Sequence, residues 1–268
     1  MSTTSRFEPG FFAPAPQQAK SGDIVKAQAK IESLLFLRHG EQQLLSMVIP
    51  LGLLIGLTLV PGDDASHAVT RIFPMALAIA LMGAGFTGQA IAVAFDRRYG
   101  ALKRIGAAGV PTWALIAGKV VAVCIVVLLQ VLVLSIASFA LGWRPDLVGL
   151  PAALVTAVLG VAAFTSLGLL LGGTLSSELV LALGNTIWFV LLGAAVYATM
   201  TTPAGENVNA LFMAVPSVAL MEGFHTAVVA GGFNWLALLS LAVWAVIGSV
   251  LALKLFRFTM ETVSYTHL

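Results

Sequence analysis

The sequence predicts an all-α, multi-pass membrane protein with six transmembrane helices. Three observations predict it. Of 268 residues, 59% are hydrophobic and 10% charged, and the mean hydropathy is +0.99. A soluble domain carries about 25% charge. The apolar residues gather in charge-poor runs of bilayer-crossing length. The basic residues cluster outside those runs, and nearly all on one side of an assumed bilayer.

Taken in order, residues 1–22 are rich in Pro, Ala, Gln and Ser and read as a flexible tail. Nothing in residues 1–43 has the apolar core of a signal peptide. Residues 23–43 form an amphipathic connecting helix, with Ser21 or Asp23 as cap. Its apolar stripe is Ile24, Ala27, Ile31, Leu34 and Leu35, set against Lys26, Lys30, Glu32 and Arg38. It carries too much charge to cross and should lie along the membrane surface.

The expected spans are 44–60, 72–95, 114–141, 150–173, 179–200 and 233–253, within a transmembrane domain of 44–255. The first, at about 17 residues, is near the lower limit. Residues 61–64 and 142–146 read as turns. Residues 203–232, broken by Pro216, are too short on either side to cross. They read as two short external re-entrant helices. Residues 256–262 form a tail. The last six, VSYTHL at 263–268, match the translation of a transposon-derived sequencing adapter and are read as a non-native scar.

Orientation rests on Lys and Arg. Twelve of the fourteen fall on one side if six spans are drawn, and only Arg71 and Arg144 on the other. Short basic loops stay in the cytoplasm, so both termini are expected there, in the plasma membrane. The densest basic loop follows the second span. Within it Leu102, Ile105 and Ala108 share one helical face and Lys103 and Arg104 the other; Pro111 breaks the helix.

That loop carries a resemblance. Asp96, Arg97 and Arg98 are followed by Gly100, Leu102, Pro111, and then Gly118 and Lys119 opening the third span. Together with the amphipathic helix at 23–43 and the Pro-containing segment at 215–232, this resembles the permease subunit of a type 2 ABC exporter. That class includes antibiotic- and multidrug-resistance efflux permeases and polysaccharide-export permeases. Arg98, Ala101 and Lys103 stand where the family often has an acid, a Thr and another acid, so this loop is more basic than usual.

The resemblance implies a coupling segment at 96–113 that docks an ABC ATP-binding subunit. Its residues would be Asp96, Arg97, Arg98, Gly100, Leu102, Lys103, Arg104 and Ile105. It also implies a second permease subunit, the same or different, with ATP and Mg held by the partner and no cofactor on this chain. The sequence agrees in having no phosphate loop: Gly118 and Lys119 are followed by Val120, and Trp113 stands where the first Gly would be needed. Anchoring to anionic lipid is the competing reading of the same basic residues.

Other candidates lie in the spans. Gln89, Gln130 and Asn185 are polar groups at membrane depth, suited to helix-packing hydrogen bonds or to a pathway. Gly52 with Gly56, and Gly168 with Gly172, are GxxxG pairs suited to close helix contact. Pro216, Glu222 and His225 form a polar external cap. The single Cys124 makes no internal disulfide; no Cys/His array suggests a metal, and no protease motif suggests a catalytic residue.

The expected function is therefore export of a lipophilic drug, natural product or lipid, with ATP hydrolysed on a separate subunit. The chain is not expected to be an enzyme or to bind nucleic acid. The alternatives are export of a lipid-linked glycan, a non-transporting scaffold, or a membrane assembly factor or enzyme, such as one handling heme.

Overall fold

A computed structural model describes residues 19–38, 40–60, 65–144, 146–203 and 208–256. The turn expected at 61–64, the tail at 1–18 and the ending at 257–268, including the scar, lie outside the described residues. Among those described the chain is helical, with no strand.

The helices are α1 (Ser21–Arg38), α2 (Gly40–Thr58), α3 (Ala65–Met82), α4 (Gln89–Arg98), α5 (Ala101–Ala107), α6 (Thr112–Ala140), α7 (Leu150–Thr174), α8 (Ser177–Thr201), α9 (Pro216–Ala230) and α10 (Trp235–Leu255). A π-helical segment, Gly83–Gly88, joins α3 to α4 without a break. Five stretches are long and apolar enough to cross a membrane: Ser66–Arg98, Trp113–Ala140, Leu147–Thr174, Ser177–Thr201 and Trp235–Leu255. The segment expected as the first span is α2, whose apolar part, Ser46–Thr58, is shorter. The connecting helix ends at Arg38, so residues 40–43 belong to α2 instead. Ser21, expected as a cap, is the first helical residue.

The long helix through α3 and α4 is the centre of the bundle. Its apolar window is 89% buried, against 22–39% for the other four. Hydropathy does not predict this, since it has the lowest value of the five. Its middle, GAGFTG, is wholly buried and packs on α7 beside Phe164 and Thr165. A π turn carries an extra residue per hydrogen-bonded loop, and such turns recur at functional places in helices.

The two GxxxG pairs part company. A Cβ on Gly172 would lie 2.3 Å from the Ala90 carbonyl oxygen, and one on Gly168 2.6 Å from that of Phe86. This pair lets α7 touch the backbone of α4 and the π segment. Gly52 and Gly56 have nothing within 4 Å and stay on an open face of α2.

The two external helices expected at 203–232 are instead a three-residue 3-10 turn, Phe212–Ala214, and the fifteen-residue α9. Extended Val215 precedes Pro216 at the first helical position, where its missing N–H costs nothing. Pro216 through Phe224 are all buried between the neighbouring helices. Ser217 Oγ donates to the Leu191 carbonyl (2.8 Å), Ser240 Oγ to that of Met213 (2.6 Å), and Trp244 Nε1 to that of Ala214 (2.8 Å).

Gly172→Ala should lower stability by about 1–3 kcal/mol, because backbone cannot yield to the added methyl. Gly52→Ala should stay within about 0.5 kcal/mol of the parent. Thermal unfolding in detergent measures both; equal behaviour of the two variants would contradict the α4–α7 contact.

Candidate functional site

The corner between α4 and α6 is built first by its backbone. Gly100 takes φ 70°, a left-handed geometry that a residue without Cβ adopts at little cost. The chain then turns into α5. Leu102, 1% exposed, packs with Val93, Leu115, Leu169 and Ala252, and Ile105 lies beside them. The cluster brings residues of α4, α6, α7 and α10 together with this short helix. Lys103 and Arg104 are exposed on its other face. Ala108, expected on the apolar face, is an exposed residue just past the helix end.

The charges around this corner mostly face their own chain. Lys119 is 1% exposed, and its ammonium donates to Glu32 Oε2 of α1 (2.9 Å) and to Asp96 Oδ2 of α4 (2.8 Å). Burying an ammonium is costly without a counter-charge, and here two carboxylates supply it. Gln28 Nε2 donates to the other Glu32 oxygen (3.0 Å). The helices α1 and α6 come this close because residue 118 is glycine: a Cβ there would lie 2.5 Å from Gln28 Cγ.

Arg97 is also buried. Its Nη1 donates to the carbonyls of Gly172 and Leu175, both at 2.8 Å. It serves the end of α7, where backbone carbonyls lack helical partners. Arg98 reaches α8, donating to Ser177 Oγ (3.0 Å) and pairing with Glu178. That pair is 46% and 67% exposed, so solvent screens it and it adds little to stability.

Of the eight coupling residues expected, then, Asp96, Arg97 and Arg98 bind within the chain. Gly100 makes the turn, Leu102 is buried and Ile105 half-buried, and Lys103 and Arg104 face outward. Glu32 and Glu178 belong to the cluster and were missed. The available signals were an acid on α1 away from its apolar stripe and an acid opening the fifth apolar run.

The α1 helix turns its polar residues to the bundle and its apolar stripe outward, as a helix lying along the membrane surface does. Gln28, Ala29 and Ser33 are buried, while Ile31, Leu34 and Leu35 of the apolar stripe are 53%, 52% and 46% exposed.

The remaining candidates do not converge. Gln89 and Gln130 are each 2% exposed, and both Gln130 amide atoms lack a hydrogen bond. Asn185 is exposed on the outside of α8, apart from both. Among the described residues no three His, Cys, Asp or Glu side chains gather as a metal site.

The far end of the bundle holds Pro216, Glu222 and His225 on α9. Glu222 is 2% exposed. Its Oε1 makes no hydrogen bond; His225 Nδ1, at 3.9 Å, is beyond that reach. Burial pushes the Glu222 carboxyl up from its ordinary range and the His225 imidazole down. Both line a cavity of about 350 Å³ between α3, α8 and α9, together with His67 and Arg71.

Lys119→Met should destabilise the protein by about 3–5 kcal/mol, because it strands two carboxylates. Adding Glu32→Gln and Asp96→Asn should recover much of that loss. Thermal unfolding of the single and triple variants checks it; a triple variant less stable than Lys119→Met would contradict the pairing.

No curated protein and no solved structure matches the chain. A family model described as ABC-2 family transporter protein matches residues 54–254. That range runs from within α2 through the buried α3–α4 rod, Asp96, Lys119 and α9 to the last turn of α10. The chain therefore belongs to the ABC-2 transporter family and is a membrane subunit of an ABC transport system.

Proposed function

We propose that the chain is the six-span permease of an ATP-driven exporter, with α5 as the docking helix for a separate ATP-hydrolysing subunit. The observation that carries this reading is the division of α5. Its inner face packs Leu102 among the ends of four helices, and its outer face presents Lys103 and Arg104. A push on the outer face moves those helix ends together, as a rigid-body change requires. Lys119 extends the linkage to α1.

In this reading ATP and Mg belong to the partner, and both termini lie in the cytoplasm at the plasma membrane. The first crossing is α2, whose 19 residues rise about 28 Å, close to a hydrocarbon core of about 30 Å. The α1 helix lies on the inner surface, with exposed Ile31, Leu34 and Leu35 turned to lipid and Glu32 turned to Lys119. A second permease, identical or not, completes the pathway. The open Gly52–Gly56 face of α2 suits such a helix contact. The cargo is a lipophilic drug, natural product or lipid. The short connections between helices support this, leaving no external domain to handle a polymer.

Arg104→Glu should leave the chain folded and reduce both co-purification with the ATP-binding subunit and cargo-stimulated ATP hydrolysis by tenfold or more. Assembly and hydrolysis at parental levels would refute docking through α5. In a Cys124→Ser background, Lys103→Cys should react with an impermeant maleimide in inverted vesicles and not in right-side-out vesicles. The opposite pattern would reverse the orientation.

A further inference from the structure

The cavity between α3, α8 and α9 stands apart from the coupling corner. Arg71 and Asp96 are on one continuous helix, 25 residues apart, which is about 37 Å at 1.5 Å per residue. Two of its groups have unmet demands. Glu222 Oε1 is buried on α9 without a hydrogen bond, and Arg71 Nε is buried on α3 without one. Both residues line the cavity, yet no ion pair joins them to each other.

We infer that this cavity is a binding site for a small zwitterionic head group, one carrying an ammonium and a phosphate-like oxyanion. A lone anion would meet the Glu222 carboxylate, and a lone cation would meet Arg71, which never loses its charge. A zwitterion satisfies both. Its ammonium supplies the counter-charge that a buried carboxylate needs, through a charge-assisted hydrogen bond. Its oxyanion takes the planar guanidinium fork.

The other polar groups fit this assignment. His67 lies one turn from Arg71 and His225 three residues from Glu222, each adding an imidazole to its end of the site. Among the described residues, α8 and the residue after it bring only uncharged groups: Thr202, and Thr199, whose hydroxyl already donates to the Ala195 carbonyl. Ala68, Ala198 and Met221 give an apolar wall for an alkyl stem. At about 350 Å³ the cavity lies at the lower end of ligand-pocket sizes, as a head group requires. None of this depends on the docking reading of α5, because the site is defined by binding alone.

The test uses the full chain purified in detergent, with binding read by native mass spectrometry or calorimetry. Three probes are compared: a short-chain phosphatidylethanolamine, its phosphatidylglycerol counterpart, and free O-phosphoethanolamine. The phosphatidylethanolamine should bind at least tenfold tighter than the phosphatidylglycerol. Glu222→Gln and Arg71→Gln should each weaken it at least tenfold, and only Arg71→Gln should weaken the phosphatidylglycerol. Free O-phosphoethanolamine binding as tightly as the lipid assigns a soluble zwitterion; tenfold weaker binding assigns a lipid head group. The site is overturned if no zwitterion binds, if the anionic lipid binds as well, or if both variants bind like the parent. Should Glu222→Gln not fold, an unchanged affinity in Arg71→Gln overturns it alone.

Discussion

A single buried ammonium holds one end of this molecule together. Lys119 draws Glu32 of α1 and Asp96 of α4 onto α6, across 87 and 23 residues of chain. In a setting of low dielectric such a charge is tolerated only while its partners stay in place. The positions of the three helices are therefore mutually dependent. The next two residues after Asp96 extend the same logic, Arg97 to the end of α7 and Arg98 to the start of α8. With Leu102 in an apolar cluster that also takes in α6, α7 and α10, the end of α4 is joined to most of the bundle.

The opposite end is built differently. There Arg71 and Glu222 share a cavity without pairing, and α9 is buried along most of its length. Charges around Lys119 are neutralised within the chain, while at the cavity Arg71 and Glu222 are not paired with each other. Between the two ends runs one helix, interrupted only by the π turns of Gly83–Gly88. A continuous helix transmits displacement along its axis, and a π segment is a place where its two halves can change their relative rotation. Gly168 and Gly172 keep α7 against that segment and the start of α4, so the interruption is clamped from the side.

Much of the architecture was legible in the residues. Four expected spans, 114–141, 150–173, 179–200 and 233–253, correspond to Trp113–Ala140, Leu147–Thr174, Ser177–Thr201 and Trp235–Leu255. They were readable because a chain in hydrocarbon must satisfy its own backbone, which leaves the helix as the answer to a long apolar run. The start of the second span was misjudged because His67 and Arg71 interrupt its hydropathy, although the helix runs through both. The sequence pattern does not show the division of 203–232 into one turn and one longer helix, because a proline marks a helix start as readily as a break, and Pro216 starts α9. Three glycines within six residues mark the π segment in the sequence.

Composition and pattern alone determined that the chain is a helical membrane protein, roughly where its helices lie, and that its basic residues gather in the loop around α5. Only the tertiary structure decided which helix is central, which GxxxG pair is used, and which basic residues turn inward. The reason is common to all three. Lipid and protein interior are equally apolar, so hydropathy cannot tell a buried face from one facing the bilayer. Whether a charge turns inward depends on partners far along the chain: Glu32 for Lys119, and the Gly172 and Leu175 carbonyls for Arg97. No local pattern encodes those distances.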